Sequence, residues 1–258
     1  MEKFFSKTTS FVRSNVDLEA VIRIAKSAPE LPEVKHPIYP AKKHPKTVAI
    51  GVAFDEAFNF YYSGNLDLLE AYGAELKWFS PIHDKVLPAD VNGLYIGGGF
   101  PEMLSKELEA NGAMLRTIKK AADSGMPIYA ECGGLMYLTD SIVDFEGKSF
   151  RMAGVLHAKT VMVKKVLLNY ALAEVTRDNP LSKAGSRLRG HEFHSSKIVD
   201  VPADAEFAYT LRRGEGIDGK HDGWLQQNVL ASYMHVHFAQ EANAAPNFIA
   251  SCRQHRHK

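Results

Sequence analysis

Cys132 stands where a thiol could act as a nucleophile. The run Pro127-Ile-Tyr-Ala-Glu-Cys132-Gly-Gly-Leu-Met-Tyr137 reads as a short buried strand, a cysteine, two glycines and a helix. That is the layout of a nucleophile elbow, a turn so tight that small residues are needed beside the reactive side chain. Such a turn raises the sulfur above the C-terminal edge of a sheet, and the helix N-terminus behind it favours a thiolate. An unperturbed thiol, with a pKa of about 8.5, is only a few per cent ionised at neutral pH, and a drop of about two units makes the thiolate the majority form. A small buried cysteine is the plain alternative, and the paired glycines weigh against it.

Nucleophilic attack on an acyl carbon also needs oxyanion donors and a base. Gly97-Gly98-Gly99-Phe-Pro-Glu102 follows a predicted strand, and successive glycines let backbone N–H groups face an approaching oxygen. Beside Cys132, Gly98 and Gly99 would complete an oxyanion hole with the N–H of Gly133, although a glycine triplet alone is usually a turn. In Ala231-Ser-Tyr-Met-His235-Val-His237-Phe238, strand alternation puts His235 and His237 on one face. Either could take the thiol proton and return it to a leaving amine. Arg189-Gly-His191-Glu192-Phe-His194-Ser195 is dense in polar groups, and could orient a ligand carboxylate or form a hydrogen-bonded wet edge. No His/Cys/Asp/Glu pattern in the sequence points to a metal.

These residues need a scaffold that brings strand ends together. Val48–Val52, Glu75–Phe79, Leu94–Ile96 and Ile128–Ala130 read as strands. Helices fall around Leu66, Leu69 and Tyr72, then on both sides of a break at Asn111-Gly112, then after Cys132. This alternation predicts an α/β fold, a mostly parallel sheet covered by helices. Beyond Phe150 the β-rich stretches Tyr170–Thr176, Glu206–Leu211 and Val229–Phe238 predict an antiparallel extension of it. At the N-terminus a helix is expected over Asn15–Ala28, with Asp17 as N-cap and Leu18, Val21, Ile22 and Ala25 on one face. Pro29 to Pro45 then reads as an extended linker. The expected organisation is therefore residues 1–45 as helix and linker, 46–250 as the main domain, and 251–258 as a polar tail.

Composition narrows the function classes. A formal net charge of +1 gives no excess that would seek nucleic acid, and no apolar run is long enough to span a membrane. Met1 to Phe5 shows no secretory pattern. Only two cysteines occur in 258 residues, so a disulfide framework is not expected and a reducing cytoplasm is the natural setting. The G-x-x-x-x-G-K-[ST] phosphate loop is absent from the sequence.

In order along the chain, Asp55–Asn65, Gly97–Glu102, Tyr129-Ala-Glu-Cys-Gly-Gly-Leu-Met-Tyr137, Arg189–His194 and Ser232-Tyr-Met-His235 resemble the cobyrinic acid a,c-diamide synthase family. The resemblance implies a class I, triad-type glutamine amidotransferase fold, flavodoxin-like, with Cys132 as nucleophile and His235 as catalytic histidine. It leaves His237, Glu192, His194 and Arg189 as supporting candidates. Related cobyric acid synthases carry Ile before the cysteine and Tyr-Gln after the glycines, whereas this chain has Glu131 and Leu-Met. The implied reaction hydrolyses glutamine to supply ammonia for amidating the a and c carboxylates of a corrinoid. ATP and Mg²⁺ would act in a synthetase domain or subunit that is the expected partner, and the Asp17–Pro29 helix resembles the end of such a domain. The apolar face of the Asp17–Ala28 helix, with Phe58, Tyr61 and Tyr62, is the expected contact for it. Triad amidotransferases carry glutamate two residues after the histidine, and here that residue is His237. Three alternatives stay open: the same role on nickel-sirohydrochlorin, an amidotransferase subunit for a cell-wall ligase, or a non-catalytic partner-binding fragment.

Overall fold

A computed structural model describes residues 2–32 and 38–256. The chain divides into two compact units, Met1–Pro37 and Ile38–Lys258. The first contains helices α1 (Glu2–Asn15) and α2 (Leu18–Lys26). Asp17 caps α2 as expected, its Oδ1 accepting the Ala20 N–H at 2.9 Å. Helix α1 was not anticipated, because Ser6-Lys-Thr-Thr-Ser10 offers weak helix formers and no clear apolar stripe. Residues 33–37 of the expected linker lie outside the described residues. The second unit begins before Lys46: the His44 and Thr47 N–H groups donate to the Ala71 and Gly73 carbonyls, each at 2.8 Å.

The second unit runs, in order, β1 (Val48–Ala53), β2 (Phe58–Phe60), α3 (Ser63–Ala71), β3 (Ala74–Phe79), β4 (Gly93–Ile96), β5 (Gly98–Gly99), α4 (Ser105–Ala110), α5 (Gly112–Asp123) and β6 (Ile128–Glu131). It continues with α6 (Gly133–Leu138), β7 (Thr139–Val143), β8 (Ser149–Arg151), β9 (Leu156–Val175), β10 (Arg187–Val199), β11 (Glu206–Arg213), β12 (His221–Gln226), β13 (Val229–Ser232), β14 (His235–Val236) and α7 (Ala244–Arg256).

Strands β13, β6, β4, β1 and β3 lie side by side in parallel. Beyond β13 the sheet continues antiparallel through β12, β11, β9 and β10 to β14. The central parallel strands β1, β4, β6 and β13 are buried along their whole length and mostly apolar because both faces are covered, whereas the edge strand β3 carries the polar Glu75 and Lys77. Leu94, Ile96, Ile128, Ala130, Val229 and Ala231 face one layer, with Met114, Leu115 and Ile118 of α5 and Leu135 of α6. Tyr95, Tyr129 and Leu230 face the other, with Leu68 and Leu69 of α3 and Phe248 and Ile249 of α7. Each of the Leu, Ile, Val, Met and Phe side chains among these contributes about 1.5–3 kcal/mol by leaving water.

Residues 251–256, expected as a polar tail, are the last turns of α7, and 257–258 lie outside the described residues. Cys252 sits one helical turn past Phe248 and is fully buried against Gly93. Arg253, Gln254 and Arg256 around it are exposed, and Arg256 Nη1 donates to the Thr47 carbonyl at 2.8 Å. Among the described residues no helix is long and apolar enough to cross a membrane.

Candidate active site

Strand β6 delivers the chain to Cys132, whose backbone adopts φ +48° and ψ −99°. A non-glycine residue there is strained, which is the signature of an elbow. The conformation is held by the Cys132 N–H donating to the Ser232 carbonyl at 2.7 Å and by the Cys132 carbonyl accepting from Met136 N–H at 3.0 Å. Helix α6 starts at Gly133, where an added Cβ would lie 3.0 Å from the Gly99 nitrogen. The two oxyanion candidates therefore touch.

The thiol is 5% exposed, and its hydrogen bond among the described residues goes to the Phe193 carbonyl of β10 at 3.5 Å. Burial pushes its pKa up to about 12, aided by Glu102, Glu131 and Asp222, while the Gly133 N–H pulls the other way. Burial thus opposes the expected thiolate, and the helix behind Cys132, which would favour it, spans only six residues.

His235 is also buried, and β14 pairs it with His191 of β10. The two imidazoles stack at 4.8 Å between centroids, and Phe60 meets His235 edge-on at 5.1 Å. Desolvation, with His191 and His194 nearby, lowers its pKa to about 3, so the ring is neutral at rest. Its backbone is held by side chains from three other elements. Asp222 of β12 accepts from the Tyr233 and Met234 N–H groups at 3.0 and 2.9 Å. Asn65 of α3 donates to the Val236 carbonyl at 2.8 Å and accepts from Phe238 N–H at 2.7 Å. Glu131 of β6 accepts from Val236 N–H at 3.0 Å.

The fold brings Cys132, Gly98, Gly99, Gly133 and His235 to one end of the parallel strands. It places the supporting candidates differently. His237 follows the end of β14, exposed, with Nδ1 accepting from Ala239 N–H at 3.2 Å and its ring 4.9 Å from that of Tyr62. It stands at the rim, so equal access of His235 and His237 is not observed. Glu192 is fully buried and accepts from the Glu215 and Gly216 N–H groups at 2.9 and 2.6 Å, which makes it a loop anchor. His194 stacks on Tyr233 at 3.7 Å, Nδ1 3.0 Å from the Ser196 carbonyl oxygen, and burial lowers its pKa to about 4. Arg189 is exposed on β10, its N–H donating to Gln240 Oε1 at 3.1 Å.

Phe58, expected at a domain contact, is instead fully buried against Tyr137. Tyr61 packs on Tyr95 and accepts the Gly97 N–H at 2.8 Å, and Tyr62 Oη lies 2.8 Å from His191 Nδ1. This segment shapes the site from within. Sequence reasoning assigned no role to Glu131, Asp222 or Asn65. A glutamate ending the buried run Ile-Tyr-Ala-Glu beside a reactive cysteine was the available signal for Glu131. Among the described residues no group of three or more His, Cys, Asp or Glu could hold a metal ion.

The elbow and parallel sheet define the class I glutamine amidotransferase fold. A GMP synthase protein from Thermoplasma acidophilum aligns with a TM-score of 0.57 at 19% identity, over 83% of this chain and 98% of that one. A solved glutamine amidotransferase aligns at 0.55 and 18% identity, over 81% and 99%. At the level of sequence the chain belongs to the CobB/CobQ-like glutamine amidotransferase domain family, which matches residues 49–243. Cobyrinate a,c-diamide synthase from Dehalococcoides mccartyi strain CBDB1 is 46% identical over 254 residues, 96% of this chain and 54% of that protein. The enzyme of the same name from Methanosarcina barkeri is 43% identical over 262 residues, 95% and 52%. The chain spans about half the length of these curated relatives.

Proposed function

We propose that the chain is the glutaminase part of a cobyrinate a,c-diamide synthase, supplying ammonia to an ATP-dependent synthetase domain or subunit. The observation that carries this reading is the strained Cys132 elbow with its two glycine segments in contact and neutral His235 held at the same strand ends. The relatives' shared name supports cobyrinate as the proposed acceptor, and the same glutaminase half would serve a nickel-sirohydrochlorin acceptor equally.

In this reading glutamine binds with its side-chain amide over Cys132. His235 takes the thiol proton as sulfur bonds to the amide carbon, and the Gly99 and Gly133 N–H groups receive the oxyanion. The C–N bond then breaks as His235 returns the proton to the departing ammonia. Water attacks the glutamyl thioester with His235 again as base, releasing glutamate and restoring the thiol.

ATP and Mg²⁺ belong to the partner in this account. The glycine loop here is filled by protein: Tyr61 lies against Gly97, His235 against Gly98 and Ala57 against Gly99, which leaves no cradle for phosphate. The exposed Leu18, Val21 and Ile22 of α2 are the proposed contact for the synthetase.

The test is glutamate release by the purified chain, alone and with a synthetase unit, ATP and cobyrinic acid. The reading expects weak turnover alone and stimulation by the complete mixture. Diamide formation from ATP by the chain alone would overturn the split of labour, and no glutamate under any condition would overturn the glutaminase assignment.

A further inference from the structure

The carboxylate of Glu131 is almost wholly buried, and among the described residues its one ion-pair neighbour is His235. Three donors satisfy most of it. Tyr95 Oη–H reaches Oε2 at 2.8 Å, while the Tyr129 hydroxyl and the Val236 N–H at 3.0 Å both reach Oε1. A carboxylate oxygen accepts two hydrogen bonds readily, so Oε1 is filled and Oε2 keeps one position open. His235 Nδ1 lies 3.9 Å from that oxygen and is itself buried without a hydrogen-bond partner. An unpaired buried ring nitrogen beside an open acceptor is costly to leave so. The gap exceeds a hydrogen bond by about 1 Å, and such bonds often tighten only when substrate binds.

We infer that Glu131 is the positioning residue of His235, delivered by β6 from the position next to the nucleophile. The inference rests on the glutaminase reading of the site. The carboxylate receives Nδ1–H, which fixes the tautomer that leaves Nε2 for Cys132, and it stabilises the imidazolium formed when the thiol gives up its proton. Near the thiol alone, a negative Glu131 opposes thiolate formation. Once the imidazole carries the proton, carboxylate and thiolate both neighbour a cation, and the charge separation becomes favourable.

The alternatives are otherwise engaged. His237, at the position where triad amidotransferases carry glutamate, is exposed, with Nδ1 bonded to Ala239 N–H. The carboxylates of Glu192 and Asp222 accept backbone N–H groups of the loop after β11 and of the turn before β14. The other titratable groups around the pair are Tyr61 and Tyr62 between β2 and α3, Tyr95 on β4, Tyr129 on β6, His191 and His194 on β10, Tyr209 on β11, and Cys132. The Tyr95 and Tyr129 hydroxyls donate to Glu131, and His191 Nδ1 is bonded to Tyr62. Glu131 is the acceptor left for His235.

Two measurements test this. In ¹⁵N-histidine spectra of the intact chain, with His235 assigned from the His235→Asn variant, the Nδ1–H tautomer is expected, and an Nε2–H tautomer overturns the proposal. This readout is independent of turnover, so it stands even if the glutaminase reading fails. The second follows inactivation by a glutamine-analogue electrophile. Glu131→Gln keeps the Tyr129 and Val236 bonds at its carbonyl oxygen, turns an NH2 donor toward Tyr95 Oη and His235, and removes the charge, and should slow the maximal inactivation rate about 10²-fold or more with half-saturation unchanged. An unchanged rate, or weaker binding at an unchanged rate, overturns the proposal. If Glu131→Gln does not fold, the tautomer of the unsubstituted protein decides.

Discussion

A Cβ on Gly98 would lie 2.6 Å from His235 Cε1 and 3.4 Å from the Phe60 Cβ. The glycine is thus a condition for the histidine's position as well as for the loop. Gly98→Ala should still fold, at a cost of about 1–3 kcal/mol, because the nearest atom belongs to a buried ring stacked on His191 that must give. The ring must move, and in the proposed mechanism a displacement of about 1 Å in the base costs about 10²-fold in rate. Glutaminase turnover of the assembled enzyme should fall by that order under conditions where the unfolding curve shows the variant still fully folded.

The closed pocket around Cys132 predicts a slow thiol. Its pKa lies near 12, so the thiolate fraction grows with every pH unit up to that value. Alkylation of Cys132 by iodoacetamide in the free chain should rise about tenfold per pH unit from 7 to 10. A plateau at neutral pH would show that the sulfur is ionised at rest and that the pocket is more polar than described.

The elbow strain is measurable without activity. Cys132 holds φ +48°, which Gly tolerates and Ala does not. Cys132→Gly should therefore be at least as stable as Cys132→Ala, by about 1 kcal/mol in urea titrations, the reverse of the usual order. A normal Ala-over-Gly ranking would contradict the strained turn.

Buried titratable groups pull the pH dependence of stability in opposite directions. Glu131 and Asp222 are raised to about 7 by desolvation, so the native state keeps protons that the unfolded chain loses from about pH 4 upward, and Glu131 serves His235 as a carboxylate from about pH 7 upward. Their contribution falls as pH rises to 7. His235 and His194 are lowered to about 3 and about 4, so their contribution is present above pH 6.5 and is lost as pH falls. Asp222→Asn removes one acid and leaves the histidines. Measured against the parent, it should gain stability between pH 4.5 and 7.5, on the order of 3 kcal/mol, whatever its constant cost in the turn. An unchanged difference across that range would show that Asp222 is ionised throughout.

The chemistry of single segments was legible in the sequence, and the cooperation between distant ones was not. The Cys132 elbow, the glycine run and the parallel strands follow from local spacing and alternation, and the structure contains them. His235 was separable from His237 only by family motif, because alternation gives both one face. It is the end of β14 at Val236 that puts His237 at the rim. Asn65, Glu131 and Asp222 escaped because their partners lie 171, 105 and 11 residues away, in contacts that no local pattern encodes. The tail was misread for a related reason: polar residues at 251–256 surround one buried cysteine on a helix.

The central claim is that Cys132 attacks glutamine, and mass spectrometry of the chain after exhaustive reaction with a glutamine-analogue electrophile tests it most directly. The account predicts one adduct, on the peptide carrying Cys132, prevented by excess glutamine and lost in Cys132→Ala. Cys252, fully buried on the inner face of α7, should stay unmodified. An adduct on Cys252, or one on Cys132 that glutamine does not prevent, would contradict it.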